Sequence, residues 1–296
     1  MKKFLLFFLG VLLATVALTV ANDALNRYLI FSSSNANPYK MYRLLTAPEA
    51  DEIPILGSSR AEAGFAPAEL SATAFNYGLS GSSMRETAFH LKVALARPGG
   101  GRVIVNLDPW GLGNGAFQGN YRFVADAPLV RAESRIKVPP LDRIVGIRFQ
   151  GATRKNLAEC VNNRLAVTKT MERGAILQRI SRSAEEWDYI IARCTSAAFG
   201  RDAETERLLA EILSANRDKE IVFVVSPISA PWWARFNGKE DLAELEQWLE
   251  GFPQCRVFDA QKELPQYELS EFMDLTHLNE HGARRFTREL RAALAQ

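Results

Sequence analysis

The run Phe4–Val20 constrains this chain most: 17 successive residues carry no charge and no strongly polar group, and Lys2 and Lys3 stand directly before them. At 1.5 Å of rise per residue, this run meets the lower limit of the roughly 17–25 residues that a spanning helix needs. A cleaved signal has a shorter apolar centre, roughly 7–15 residues, followed by a small-residue site. Thr19-Val20-Ala21 fits such a site poorly. We therefore read residues 1–21 as an uncleaved single-pass anchor in a membrane. The paired lysines put the N-terminus on the cytoplasmic side and everything after Ala21 on the outer side.

Residues 22–48 become mixed in character, punctuated by Ser32-Ser33-Ser34 and by Asn35 to Pro38, and read as a stalk. Residues 49–296 then form one domain. Short apolar runs alternate there with amphipathic stretches, the pattern of an α/β fold with a mainly parallel sheet between helix layers. Strands are expected at 53–56, 73–76, 103–107, 221–225 and 256–258. Helices are expected at 84–96, 185–197, 202–215, 241–249 and 280–294. In the last of these, Ala283, Phe286, Leu290 and Ala293 fall on one stripe. The long gap between the third and fourth strands holds an Arg-rich, mostly helical insertion at about 115–200, far longer than a crossover requires.

Charge narrows the function classes. Thirty-six basic against 34 acidic residues give +2 at neutral pH, so no nucleic-acid partner is expected. Residues 121–183 nonetheless hold 13 basic and 5 acidic side chains, a surface suited to anionic lipid or polysaccharide or simply solvated. Cys160, Cys194 and Cys255 are too few and too scattered for a zinc site, so no metal and no cofactor are expected. A Cys160–Cys194 disulfide is geometrically possible, but spacing does not fix connectivity.

The candidate chemistry lies at strand ends. The first strand runs into Gly57-Ser58-Ser59-Arg60, which places Ser59 at the carboxyl edge of the sheet, where ligands of open α/β folds gather. A serine nucleophile needs a base held by a third group. His90 sits within a helix between Phe89 and Leu91, and His281 lies beside Gly282 at the start of the last helix. His277 belongs to the loop Asp274-Leu275-Thr276-His277 before that helix, where Asp274 can orient it toward Ser59. The segment Asn76 to Gly81 follows the second strand, and the N–H groups of Ser59 and Gly81 are the candidate oxyanion donors. Arg60, Asn76, Asn106 and Trp110 are candidates for holding substrate.

These blocks in this order, Gly57-Ser58-Ser59, Asn76 to Gly81 and Asp274-x-x-His277, resemble the SGNH, or GDSL-like, hydrolase superfamily. The resemblance covers roughly residues 50–110 and 220–296. It implies a three-layer, flavodoxin-like sandwich in which Ser59, His277 and Asp274 form the triad and Gly81 is an oxyanion donor. Two departures stand out. Ser58 occupies the position of the family's usual Asp, as in membrane-anchored members that act in teichoic acid D-alanylation; proteins of alginate O-acetylation are also similar. Trp110 falls where the family carries an Asn oxyanion donor, leaving Asn106 or Asn114 as substitutes.

The resemblance implies an O-acyltransferase or esterase on the outer face of a bacterial cytoplasmic membrane. It would pass an acyl group from a donor through Ser59 to a cell-surface or secreted polysaccharide, with a multi-pass membrane O-acyltransferase as partner. Two alternatives stay open. One is a non-catalytic binding or assembly protein using the basic insertion and Trp232-Trp233. The other is a simple exported esterase or lipase.

Overall fold

A computed structural model describes residues 1–33, 36–46, 51–97, 101–113, 115, 117–144, 153–165, 168–195 and 197–295, and the side chains within them except those of 155, 156, 159 and 162–164. The chain opens with a 30-residue helix, Lys2–Phe31. Its most apolar window has a mean hydropathy of 2.6 and is bare of contacts with the rest of the protein. Two hydroxyls in the run are satisfied internally, Thr15 Oγ1 donating to Val11 O and Thr19 Oγ1 to Val16 O, which lowers the cost of an apolar surrounding. One helix is thus long and apolar enough to cross a membrane, as an anchor or as a signal sequence.

The expected stalk is helical and docked. The first helix continues to Phe31, and a second, Asn37–Thr46, follows. Leu29, Ile30, Met41 and Leu44 are buried, and Phe31 packs against Tyr39, Tyr42 and Phe123. The polar punctuation of the expected stalk falls between the end of the first helix at Phe31 and the start of the second at Asn37.

Five strands form one parallel sheet: β1 (Ile53–Leu56), β2 (Ala74–Asn76), β3 (Arg102–Asn106), β6 (Glu220–Val225) and β7 (Cys255–Asp259), in the order β2-β1-β3-β6-β7. The chain first steps outward from β1 to β2 and then returns past β1 to β3. A doubly wound sheet therefore reverses direction between β1 and β3, and the crevice beyond their carboxyl ends is its natural ligand position. Ile221–Val225 are all fully buried although alternate residues face opposite ways, so both sheet faces are covered. Helix Met84–Leu95 packs with Ala203–Ala215, while Glu280–Leu294 packs with Ser59–Gly64 and Pro67–Leu70. On the last helix, Phe286 and Leu290 are completely buried, each contributing about 1.5–3 kcal/mol.

The insertion departs from the expected helical character. Its residues include β4 (Lys169–Glu172) and β5 (Ala175–Gln178), an antiparallel hairpin. Arg173 and Gly174 at its tip both have positive φ, 44° and 87°, as a two-residue turn of the right twist requires. The tip seats on the sheet: Arg173 O accepts from Asn76 N at 2.9 Å, and a Cβ on Gly174 would lie 2.0 Å from Asn76 O. Ala175 and Leu177 join the main core. Cys160, Cys194 and Cys255 are free thiols.

Candidate active site

The turn after β1 presents Ser59. Gly57 has φ +144°, and a Cβ there would meet the Cβ atoms of Ala61 and Asn106 at 2.8 and 3.0 Å, so the strand can turn sharply only with glycine. Ser58 then caps the helix Ser59–Gly64, its Oγ accepting from Arg60 N at 3.3 Å. Ser59 opens that helix and is half-buried. Its N–H lies among the first-turn donors that a helix leaves unpaired.

The candidate base comes from the other end of the chain. Asp274 folds its own loop by accepting from Thr276 N at 2.8 Å and from His277 N at 2.9 Å. Its carboxylate also faces His277 Nδ1, at 3.0 Å from Oδ1 and 2.9 Å from Oδ2. Leu275 O receives both the N–H and the hydroxyl of Ser229, which ties this loop to the segment after β6. His277 Nε2 lies 2.8 Å from Ser59 Oγ, across 218 residues of sequence. A carboxylate only accepts, so Nδ1 carries the ring proton and Nε2 turns a lone pair to the serine hydroxyl. Burial pushes the Asp274 carboxyl up, but the hydrogen bond and charge of His277 and the two backbone donors outweigh it and hold the pKa at about 2.

The loop carrying Gly81 lies against the same turn. Tyr77 N donates to Ile55 O and Leu79 N to Gly57 O, and a Cβ on Gly78 would lie 2.5 Å from Glu62 N. Gly81 is exposed, with φ +79°. Among the described residues neither its N–H nor that of Ser59 donates to a protein group.

Three of the four candidates for holding substrate are interior. Asn76 is fully buried; its Nδ2 donates to Ala61 O at 2.7 Å and its Oδ1 accepts from Gly78 N at 2.9 Å, so it shapes the Gly81 loop from within. Asn106 is 1% exposed and gives its amide to Asp108 Oδ1 at 3.2 Å, so it is no substitute oxyanion donor. Arg60, also 1% exposed, donates to Thr276 O at 3.0 Å, Leu107 O at 3.2 Å, and Ser226 O and Pro227 O at 2.7 and 3.3 Å. Only Trp110 is exposed, and its ring centroid lies 6.0 Å from the Arg60 guanidinium carbon. Asn114 lies outside the described residues. His90 is fully buried and bonded to Tyr121, and His281 is on the surface. Trp232 is buried and stacked on Phe236.

Sequence reasoning missed Asp108 beneath the site and gave Arg60 a different role. Asp108 follows β3 and lies 3.8 Å from Arg60 Nη1; burial raises its pKa, against the pull of Arg60, Ser58 and His277. A carboxylate directly after a strand was the available signal. Arg60 itself is a brace: it links the helix that begins at Ser59 to Thr276, next to His277, and to the ends of β3 and β6. Burial lowers its pKa to about 10, with Asp108, Asp274 and Asp259 opposing, so it stays charged at neutral pH. Arg60→Lys keeps the charge but cannot span four carbonyls with one ammonium. We expect kcat for a small ester to fall about 100-fold, the effect of misplacing a catalytic group by an ångström, with KM unchanged. Steady-state kinetics on 4-nitrophenyl acetate check this. A purely structural role would instead lower the melting temperature and leave turnover per folded molecule intact.

No family profile matches the chain. No curated protein matches it either. Among solved structures, the chain is similar to "a putative platelet activating factor from Streptococcus pneumonia", at a TM-score of 0.44 and 12% identity, over 93% of this chain and 98% of that one.

Proposed function

We propose that the chain is a serine acyltransferase or esterase of SGNH type, held at a membrane by its first helix with the domain on the outer side. The observation that supports the reading is the 2.8 Å approach of Ser59 Oγ to His277 Nε2, with Asp274 on the far nitrogen. In the first half-reaction His277 takes the Ser59 proton while Oγ attacks an ester carbonyl. The oxyanion rests on the N–H groups of Ser59 and Gly81. The donor's C–O bond then breaks, and its alcohol leaves with the proton from His277. In the second half-reaction an acceptor hydroxyl gives its proton to His277 and attacks the acyl-enzyme; the Ser59 ester breaks and Oγ recovers the proton. A polysaccharide hydroxyl as acceptor makes this acyl transfer, and water makes it hydrolysis. Trp110, standing where the resemblance puts an Asn donor, leaves two donors in the oxyanion site. Loss of one such donor costs about 100- to 1,000-fold in rate, so we expect slow hydrolysis of simple esters.

A fluorophosphonate probe tests the reading. The wild-type protein should label covalently, and Ser59→Ala, with an unchanged circular dichroism spectrum, should not. Equal labelling of the two proteins would overturn the assignment of Ser59.

A further inference from the structure

A cavity of about 800 Å³ approaches the Gly81 loop through Gln118, in the upper range of small-molecule sites, roughly 300–1,000 Å³. Phe117, Gln118, Asn120, Arg122, Arg135 and Lys137 line it. Gln118 is the shared wall: its Cγ lies 3.6 Å from where a Gly81 Cβ would stand. The wall is built, not incidental. Glu86, fully buried on helix Met84–Leu95, accepts from Gln118 N at 2.8 Å, Gly119 N at 2.7 Å and Tyr121 Oη at 2.9 Å, and from Ser82 Oγ at 2.8 Å. One carboxylate thus pins both the cavity wall and the residue after Gly81, and its charge is absorbed by four donors. Asn37 bonds the same wall at Gln118 O and Asn120 N.

The side chains specify the ligand. Arg122 pairs with Asp142, and Arg135 shares Glu204 with Arg85. Lys137 is exposed and has no ion pair among the described residues. Positive charge is therefore in excess, beside the amides of Gln118 and Asn120 and the half-buried ring of Phe117. Amides satisfy hydroxyls and an aromatic ring covers a sugar face, whereas an acyl chain would be poorly served by such a wall.

We propose that this cavity binds a negatively charged saccharide and presents its hydroxyl to the acyl-enzyme across Gly81. The acceptor role rests on the serine reading above; the binding does not. The test uses the full-length protein in detergent and a short oligogalacturonide, with its carboxyl-reduced counterpart and inorganic phosphate as controls, measured by isothermal calorimetry. The oligogalacturonide should bind wild type and Ser59→Ala alike, more weakly as salt is raised. Lys137→Glu should weaken it by about fivefold or more, and Lys92→Glu, an exposed reversal outside the cavity, should not. Binding by a wild-type protein that does not react with fluorophosphonate would keep the cavity and end the serine reading. Three outcomes would overturn the proposal while leaving labelling untouched: no binding, equal affinity for the carboxyl-reduced sugar, or phosphate binding as well as the saccharide.

Discussion

Replacing His277 with alanine is expected to lower ester turnover by on the order of 10⁴ to 10⁶, because without the base the Ser59 hydroxyl keeps its proton and the remaining groups act on a poor nucleophile. Asp274→Asn should cost about 10⁴ for a different reason. The amide can donate to Nδ1, which moves the ring proton to Nε2 and points a donor at Ser59 Oγ where an acceptor is required. The double variant should be little worse than His277→Ala alone, since the three groups act as a unit. pH separates their roles. Asp274, held at about 2, is ionised throughout the neutral and mildly acidic range, so the acid limb of the activity profile should not be its own titration. Its contribution to stability is complete above the ordinary value of 3.8 and is lost as pH falls from there through about 2. Stopped-flow burst kinetics and a pH–rate profile check these expectations. Near-additive losses in the double variant would show that the three side chains do not work as one relay.

Lys40→Met should be the most destabilising single change outside the active site. Lys40 is fully buried; its Nζ donates to Glu62 Oε1 at 2.7 Å and to Gly78 O at 2.6 Å, while Glu62 Oε2 accepts from Ser80 Oγ at 2.6 Å. Burial drives the Lys40 pKa down, and the charge of Glu62 opposes it. Removing the cation strands a mostly buried carboxylate and a carbonyl, at about 3–5 kcal/mol. Converting both partners, Lys40→Met with Glu62→Leu, should restore most of that loss, because an apolar pair of similar volume needs no solvation. Urea unfolding of the full chain in detergent measures both. If the single variant unfolds within about 1 kcal/mol of wild type, the pair is solvated and does not clamp the Gly78–Gly81 loop.

The sheet was largely legible because its strands are short apolar runs that have to be buried on both faces, and they occur within a residue or two of the expected positions. The last helix was legible for a related reason: the stripe of Ala283, Phe286 and Leu290 repeats at the helical period over an uninterrupted 15 residues. The hairpin Lys169–Gln178 was not. Lys169–Glu172 is half-buried along its whole length and shows no alternation, and its turn uses Arg173 in a left-handed conformation where Asn or Gly would have announced it. Residues 22–48 misled through composition, since serine and proline punctuate the boundary of two docked helices, Lys2–Phe31 and Asn37–Thr46, as readily as a tether. At the site, Asp274 and His277 could be paired because the pairing is local. Their meeting with Ser59 is a consequence of sheet order, as is the burial of Arg60, Asn76 and Asn106: polarity alone suggested contact with a ligand, and only packing shows that their hydrogen bonds are spent on the backbone.

The unbroken first helix also sets a height. From Val20 to Phe31 it rises about 16 Å, and at Phe31 it is locked to Tyr42 and Phe123 of the folded domain. Where residues 4–20 are embedded in lipid, the cleft is carried on a stiff mast, not a leash, so Ser59 is held at one elevation and one heading. Lengthening that mast by a single residue would swing the cleft about 100° around the membrane normal, which makes the orientation of Ser59 a property of helix phase.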